Sequence, residues 1–183
     1  MFRSWKFWLV LAAIGAVLAL FTYGFTVDPK LVRSPLIGKP APDFTATLLT
    51  GGKLSLAELR GTPVILNFWA SWCVACRDEA HVLQESHRKF EQNGGKLRVI
   101  GIAIQDTPDA ARGFAKKYGK TYTLALDSTD GQIALDYGVY GVPETYFIGA
   151  DGVIHDKYVG PLNFAKISAQ ANALIAVQGD ASR

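Results

Sequence analysis

Cysteine and histidine are scarce in this chain, which holds two cysteines and three histidines in 183 residues. A structural zinc site needs four ligands, commonly two C-x-x-C pairs or one such pair with two spaced histidines. The candidates are Cys73, Cys76, His81, His87 and His155, and the first two histidines follow the cysteines too closely. The sequence therefore disfavours zinc, and we predict neither a metal nor another cofactor.

Outside the N-terminal 36 residues the chain carries no formal net charge. The formal charge of +3 arises in residues 1–36, where four basic side chains face Asp28 alone. Residues 37–183 hold equal numbers of acidic and basic residues. Nucleic acids are bound through clustered positive charge, and no basic patch or nucleic-acid motif is evident here. We expect no nucleic-acid partner.

An uncharged, largely apolar stretch runs from Phe7 to Phe25, after Arg3 and Lys6. It is long enough to span a bilayer, and the positive charges before it place the N-terminus in the cytoplasm. A cleaved signal peptide is the alternative, but no clean small-x-small site closes the run. We predict an uncleaved anchor. The predicted segments are a cytoplasmic region at 1–6, a transmembrane helix at 7–25, a tether at 26–36, a domain at 37–178 and a tail at 179–183.

The two cysteines lie in Trp72-Cys73-Val74-Ala75-Cys76, where an apolar run gives way to a helix-like stretch. Free amides and the positive dipole end at a helix start stabilise a thiolate, and the thiolate is the form that attacks disulfides. A purely structural disulfide across so short a loop would restrain the unfolded chain very little. We therefore predict that Cys73 and Cys76 alternate between dithiol and disulfide.

Hydrophobic patterning divides the domain into strands and helices. The predicted strands lie at 44–49, 53–56, 63–70, 97–104, 123–126, 145–148 and 153–159. The predicted helices lie at 73–92, 108–118, 132–137 and 163–177. A strand, a helix and a second buried strand over 63–104 predict a right-handed parallel crossover, whereas the turns at 51–52 and 149–152 indicate hairpins.

Three segments resemble a known family. The segment Asn67-Phe68-Trp69-Ala70-Ser71-Trp72-Cys73-x-x-Cys76 resembles the active-site segment of thioredoxin-fold proteins, and Gly141-Val142-Pro143 resembles their cis-proline loop. Residues 36–44 and 138–148 resemble the membrane-anchored thiol–disulfide oxidoreductases of the CcmG/DsbE (TlpA-like) family. The resemblance covers residues 36–177. It implies a thioredoxin-like α/β fold, a mixed sheet flanked by helices, with an added N-terminal β-hairpin and one preceding transmembrane helix.

The resemblance also implies a function. Its members are periplasmic reductants tethered to the inner membrane, which keep the C-x-x-C-H thiols of apocytochrome c reduced for haem attachment. The implied partners are apocytochrome c or another disulfide-bearing envelope protein, and a CcdA/DsbD-like membrane thiol reductase that supplies electrons. The pair Val74-Ala75 stands where many relatives carry a proline, which bears on the reduction potential.

Three alternatives remain open. The first is a general TlpA-like reductant that serves copper-site assembly or another envelope protein. The second is a copper chaperone, although such proteins typically use C-x-x-x-C, one residue longer than the spacing here. The third is a peroxidase, but the residues before Cys73 do not supply the Pro-x-x-x-Thr-x-x-Cys context of peroxiredoxins.

Roles within the site follow from helix geometry and the resemblance. Cys73, at the helix start, is the expected nucleophile, and Cys76 is the expected resolving thiol. Glu79 lies within reach of Cys76 and could pass protons, or it is a solvated helix residue. Glu144 follows the expected cis-Pro143 and lies beside the dithiol, or it is a surface charge.

The remaining expectations concern the surroundings of the dithiol. Trp72, Val142 and Pro143 are expected to contact the partner. Asn67 stands where cytoplasmic thioredoxins carry a buried aspartate, so it either alters proton transfer or is an ordinary hydrogen-bonded strand residue. Trp69, Phe68 and His87 are expected to pack in the core, and the other two histidines to lie at the surface.

Overall fold

The structure is a computed structural model that describes residues 2–26 and 34–181, and side chains for 5–24 and 34–176. Contacts divide the chain into two compact units, Met1–Arg33 and Ser34–Arg183. Most of the predicted tether lies outside the described residues. We describe each unit by itself.

The first unit contains a single helix, α1, over Phe2–Thr26. Its apolar part, Trp5–Gly24, is long and apolar enough to cross a membrane, and no other helix in the described ranges is. The side chains of this part are exposed within the unit. Length and composition thus agree with the predicted spanning segment at 7–25.

The second unit is built on a seven-stranded mixed sheet in the order β2-β1-β5-β4-β3-β6-β7. The strands are β1 (Thr45–Leu48), β2 (Lys53–Ser55), β3 (Val64–Trp69), β4 (Arg98–Ala103), β5 (Thr123–Leu126), β6 (Glu144–Ile148) and β7 (Ile154–Val159). The helices are α2 (Val74–Gln92), α3 (Pro108–Lys117), α4 (Gln132–Asp136) and α5 (Phe164–Ala181). A short 3-10 turn covers Ala57–Leu59.

Strand β3 lies inside the sheet, parallel to β4 and antiparallel to β6. All six of its residues are buried, as expected for a strand covered on both faces. The parallel β3–α2–β4 unit and the antiparallel β1–β2 and β6–β7 pairs confirm the predicted crossover and hairpins. The fold is thioredoxin-like, with the first hairpin joined to the sheet through β5.

Two apolar clusters cover the two faces of the sheet. On one face, α2, α3 and α5 contribute Leu83, Phe114 and Leu174. On the other face, α4 and the chain before β3 pack around Tyr137 and Tyr146. Since both faces are covered, the sheet is accessible at the ends of its strands. The cysteines follow the C-terminal end of β3 and therefore lie at this edge.

The predicted element ends agree with the structure to within a few residues, with one longer helix. Helix α5 continues past the predicted end at Val177 to Ala181. A single glycine costs a helix interior only about 1 kcal/mol, so Gly179 does not end it. The predicted C-terminal tail is therefore largely helical where the structure describes it.

Candidate active site

Cys73 and Cys76 form a disulfide at the start of α2, directly after the loop that follows β3. Cys73 is the N-cap residue, and its sulfur accepts a hydrogen bond from the Cys76 amide at 3.0 Å. Cys73 is 5% exposed and Cys76 is fully buried. In the reduced protein the amide and the helix dipole would stabilise negative charge on the Cys73 sulfur.

A second loop faces the disulfide. The Val142–Pro143 peptide bond is cis, as the resemblance implied. The Val142 carbonyl oxygen lies 3.4 Å from the Cys73 sulfur. Strand β6 begins at the next residue, Glu144, and pairs it with Phe68 of β3, which fixes the loop beside the dithiol.

The loop that carries the cysteines is held by the chain that follows β4. Asp106 accepts hydrogen bonds from the Ser71 amide and hydroxyl at 2.6 and 2.8 Å. Trp72 donates its indole N–H to the Gln105 carbonyl at 3.1 Å, while its side chain remains 55% exposed. Gln105 has a φ of 47°, an uncommon conformation for a residue with a side chain.

Sequence reasoning missed Gln105 and Asp106. The available signal was position, because both residues follow a buried parallel strand whose carboxyl end lies at the same edge as the cysteines. Trp72 was expected to contact a partner, and its exposed side chain beside the dithiol leaves it available for that contact.

Glu79 lies one helical turn after Cys76 and is 1% exposed, so the solvated alternative is wrong. Its carboxylate accepts hydrogen bonds from the Asn67 side-chain amide at 2.8 Å and from the Leu162 amide at 2.9 Å. Burial raises the pKa of Glu79 to about 7, against these two hydrogen bonds and the charge of Lys120, which lower it. Glu79 can therefore gain or lose a proton near neutral pH.

Asn67 links Glu79 to β6. Its amide nitrogen also donates to the Thr145 hydroxyl at 3.0 Å, and the residue is fully buried in β3. Asn67 therefore does more than satisfy its own strand, because it fixes a carboxylate that lies one helical turn after Cys76. Neither its link to Glu79 nor that to Thr145 was predicted.

Glu144 is fully buried in β6, so the surface-charge alternative is wrong. Its carboxylate accepts hydrogen bonds from the Tyr140 and Gly141 amides at 3.2 and 3.3 Å, and Lys157 Nζ lies 2.7 Å from it. Burial alone lowers the pKa of the Lys157 ammonium, but the hydrogen bond and charge of Glu144 raise it above its ordinary value. The ion pair therefore anchors the backbone just before the cis-proline.

The other predicted packing residues occupy the core or its margin. Trp69 and Phe68 are fully buried, as predicted. His87 is half-buried against the Tyr122 ring, and burial lowers its pKa. The ring of His81 contacts the Phe164 ring at the surface. Within residues 2–26 and 34–181, no group of three or more His, Cys, Asp or Glu side chains is placed to hold a metal ion.

A thioredoxin-like sheet that presents a C-x-x-C pair at a helix start, opposite a cis-proline, defines a thiol–disulfide oxidoreductase. Residues 37–157 match the AhpC/TSA family model. The thiol:disulfide interchange protein DsbE of Pseudomonas fluorescens biotype C is 40% identical over 162 residues, 86% of this chain and 88% of that protein. The DsbE of Escherichia coli strain K12 is 39% identical over 74% of this chain and 72% of that protein.

A solved structure agrees with these relatives. A protein described as thiol:disulfide interchange protein DsbE from Chlorobium tepidum superposes with a TM-score of 0.68 at 28% identity, over 75% of this chain and 96% of that one. The chain belongs to the DsbE family of thiol:disulfide interchange proteins, within the AhpC/TSA thioredoxin-like group. It is a thiol–disulfide oxidoreductase that acts through Cys73 and Cys76 on disulfide-bearing protein substrates.

Proposed function

We propose that the chain is a periplasmic reductant of cytochrome c maturation, which keeps the C-x-x-C-H thiols of apocytochrome c reduced for haem attachment. The observation that carries the proposal is the unequal burial of the two cysteines: Cys73 is 5% exposed and its sulfur lies 3.4 Å from the Val142 carbonyl oxygen, whereas Cys76 is fully buried. The identity to DsbE relatives over most of the chain supports the same choice. A CcdA/DsbD-like membrane thiol reductase would reduce the Cys73–Cys76 disulfide again.

The reaction follows from this geometry. The Cys73 thiolate attacks the partner disulfide, forms a mixed disulfide and releases one partner sulfur as a thiolate. Cys76 then loses its proton and displaces the second partner sulfur from Cys73. The partner gains two electrons, the Cys73–Cys76 disulfide forms, and the released thiolates take protons from water. The unequal burial of the two cysteines supports Cys73 as the attacking thiol.

Glu79 is the proposed acceptor of the Cys76 proton. It lies one turn along the same helix, is almost completely buried, and has a pKa of about 7 because burial opposes its ionisation. A base with a pKa near the working pH combines the correct protonation state with useful basicity. Asn67 and the Leu162 amide hold its two oxygens in place.

Partner contact is assigned to Trp72, Val142 and Pro143. Trp72 offers an exposed apolar ring that its hydrogen bond to Gln105 holds in one position. The Val142 carbonyl oxygen lies 3.4 Å from the Cys73 sulfur, and the cis peptide bond to Pro143 follows it directly. Glu144 acts on this surface through the loop backbone, since its carboxylate binds the Tyr140 and Gly141 amides.

The reduction potential tests the reductant role. We expect a value nearer to that of thioredoxin, about −270 mV, than to that of DsbA, about −120 mV, in defined glutathione or dithiothreitol buffers. The reduced protein should also reduce an oxidised C-x-x-C-H peptide. A potential near that of DsbA would reject the reductant role, and stoichiometric Cu(I) binding without peptide reduction would favour the copper-chaperone alternative.

The inner membrane is the proposed location, with the domain in the periplasm. Support comes from the length and composition of Trp5–Gly24 and from Arg3 and Lys6 before it. We expect the mature protein to retain Phe7–Phe25 and to resist extraction by alkaline washing of membranes. A mature N-terminus near Leu20 would show cleavage and contradict the anchor.

A further inference from the structure

Lys120 is a charged side chain in an unusual place. It follows α3 and is 8% exposed. Its ammonium nitrogen lies 3.8 Å from the centre of the Trp69 ring, 5.0 Å from that of Phe114 and 5.5 Å from that of Tyr122. Lysine is almost never buried to this degree without a partner.

The aromatic rings account for only part of this environment. No hydrogen bond from the ammonium and no ion pair within 4 Å is present among the described residues. Lys120 packs on Trp69, and Glu79 accepts a hydrogen bond from Asn67, which is two residues earlier in β3 and so on the same face of the sheet. The two charged groups therefore lie over neighbouring positions of one strand, and the charge of Glu79 raises the pKa of Lys120. Lys120 is likewise the charge that acts on Glu79. Each of these buried groups is therefore the other's electrostatic partner.

We propose that Lys120 is a positioning residue of the redox reaction: its buried ammonium keeps Glu79 ionised while the dithiol reacts, so that Glu79 can take the Cys76 proton. The inference rests on the proposed role of Glu79 and names the residue that controls it. Cys76–SH and the Glu79 carboxylate become Cys76 thiolate and Glu79 carboxylic acid. The thiolate then closes the Cys73–Cys76 disulfide as described above.

The surroundings of the pair favour this role. The Asn67 amide and the Leu162 amide also face Glu79, from β3 and from the chain before α5, but both are neutral donors. Tyr122, the other titratable group that interacts with Glu79, is kept neutral because burial and the Glu79 charge raise its pKa far above the ordinary value. Cys73 and Cys76 lie at the N-terminal end of α2, one turn before Glu79, and the transferred proton comes from Cys76. Lys120 alone among these groups supplies positive charge.

Burial lowers the pKa of Lys120 to about 7, against the Glu79 charge, which raises it. Each charge therefore favours the ionised form of the other. Lys120 and Tyr122 also line a surface cavity of about 550 Å³, together with Leu49, Arg112, Thr121 and Leu124. Among the described residues, neither the Tyr122 hydroxyl nor the Trp69 indole N–H has a hydrogen-bond partner.

The decisive measurement is the titration of Glu79 in the full-length, oxidised protein in detergent micelles, without partner. Carboxyl ¹³C NMR follows the titration, and the Glu79 signal is identified by its loss in Glu79→Gln. In Lys120→Met we expect the Glu79 midpoint to rise by about 1 to 3 pH units, since a nearby positive charge is removed. Lys116→Met removes an exposed charge on α3 and should leave the midpoint unchanged.

A kinetic readout connects the titration to the reaction. The reduced protein is mixed with an oxidised C-x-x-C-H peptide, and the reaction is quenched rapidly at successive times. The decay of the mixed disulfide gives the rate at which Cys76 resolves it. In Lys120→Met the midpoint of the pH–rate profile should rise by as much as the Glu79 midpoint does. At alkaline pH the rate should approach that of the unaltered protein. Adding Lys120→Met to Glu79→Gln should change the pH profile no further, because Lys120 acts through Glu79.

An unchanged Glu79 midpoint in folded Lys120→Met would overturn the proposal. Should that variant not fold, ¹⁵N NMR of the Lys120 ammonium in Glu79→Gln tests the same coupling, because coupling between two sites is reciprocal. The pKa of Lys120 should then fall further, and an unchanged value would reject the pair. Since both titrations use protein without a partner, they remain informative even if the chain fails to reduce the peptide.

Discussion

Cys76→Ser is expected to trap the protein on its partner. With Cys73 intact, the thiolate still attacks the partner disulfide, but no second thiol is left to resolve the mixed disulfide. The variant should accumulate a covalent, reductant-sensitive adduct with an oxidised C-x-x-C-H peptide, whereas the unaltered protein releases reduced peptide. Non-reducing gels of the chain after incubation with the peptide measure the adduct.

The matched control exchanges the two sulfurs. Cys73→Ser keeps the buried Cys76 but removes the accessible nucleophile, so neither adduct nor peptide reduction is expected. The reason is structural, since Cys76 is fully buried, whereas Cys73 keeps a small exposed fraction beside Val142. Adduct with Cys73→Ser and none with Cys76→Ser would reverse the assignment.

The parts of the site that are local in the chain could be predicted from the sequence. A C-x-x-C pair at the point where an apolar strand meets a helix is a short-range pattern, and so is the Gly141-Val142-Pro143 loop. The strand periodicity and turn residues likewise predicted the hairpins and the parallel crossover. These features depend on neighbours within a few residues, which the sequence shows directly.

Glu79 was less predictable because α2 is buried on more than one side. The apolar stripe of this helix predicts one covered face, but α2 packs against both the sheet and α5. The buried set therefore also includes Glu79, Gln84 and Ser86. A polar residue beside an apolar stripe is solvated when a helix has one partner and buried when it has two.

Lys120 and Lys157 could not be assigned from the sequence at all. Lys120 lies in a polar segment between a helix and a strand, and Lys157 lies in a short strand between residues that are also half-buried. Their environments are created by residues far away in the chain: Trp69 and Glu79 for Lys120, and Glu144 for Lys157. Long-range pairing of this kind is fixed by packing, which composition and periodicity do not encode.

Lys157→Met is expected to destabilise the domain by about 3 kcal/mol or more, because it leaves the Glu144 carboxylate buried without its cation. The Lys157 side chain is itself 7% exposed, so solvent cannot replace the lost charge well. Urea unfolding of the chain lacking residues 1–33 gives the free energy of unfolding for the variant and the unaltered domain. Lys166→Met is the control, since its ion pair with Asp156 is about one-third exposed on each side and should cost about 1 kcal/mol or less.

A second variant separates loss of charge pairing from loss of packing. Glu144→Gln combined with Lys157→Met removes both charges and keeps the side-chain volumes, so much of the stability should return, although the Tyr140 and Gly141 amides then bind a neutral acceptor. Replacing both members of a buried pair is often far less costly than removing one. If the double variant is as unstable as Lys157→Met, the lysine stabilises the loop through its contacts with the Tyr140 and Tyr146 rings and the Gly138 carbonyl instead. If the double variant is stable but reduces the C-x-x-C-H peptide slowly, the ion pair serves to hold the cis-proline loop against Cys73, which is the role its position before Pro143 indicates.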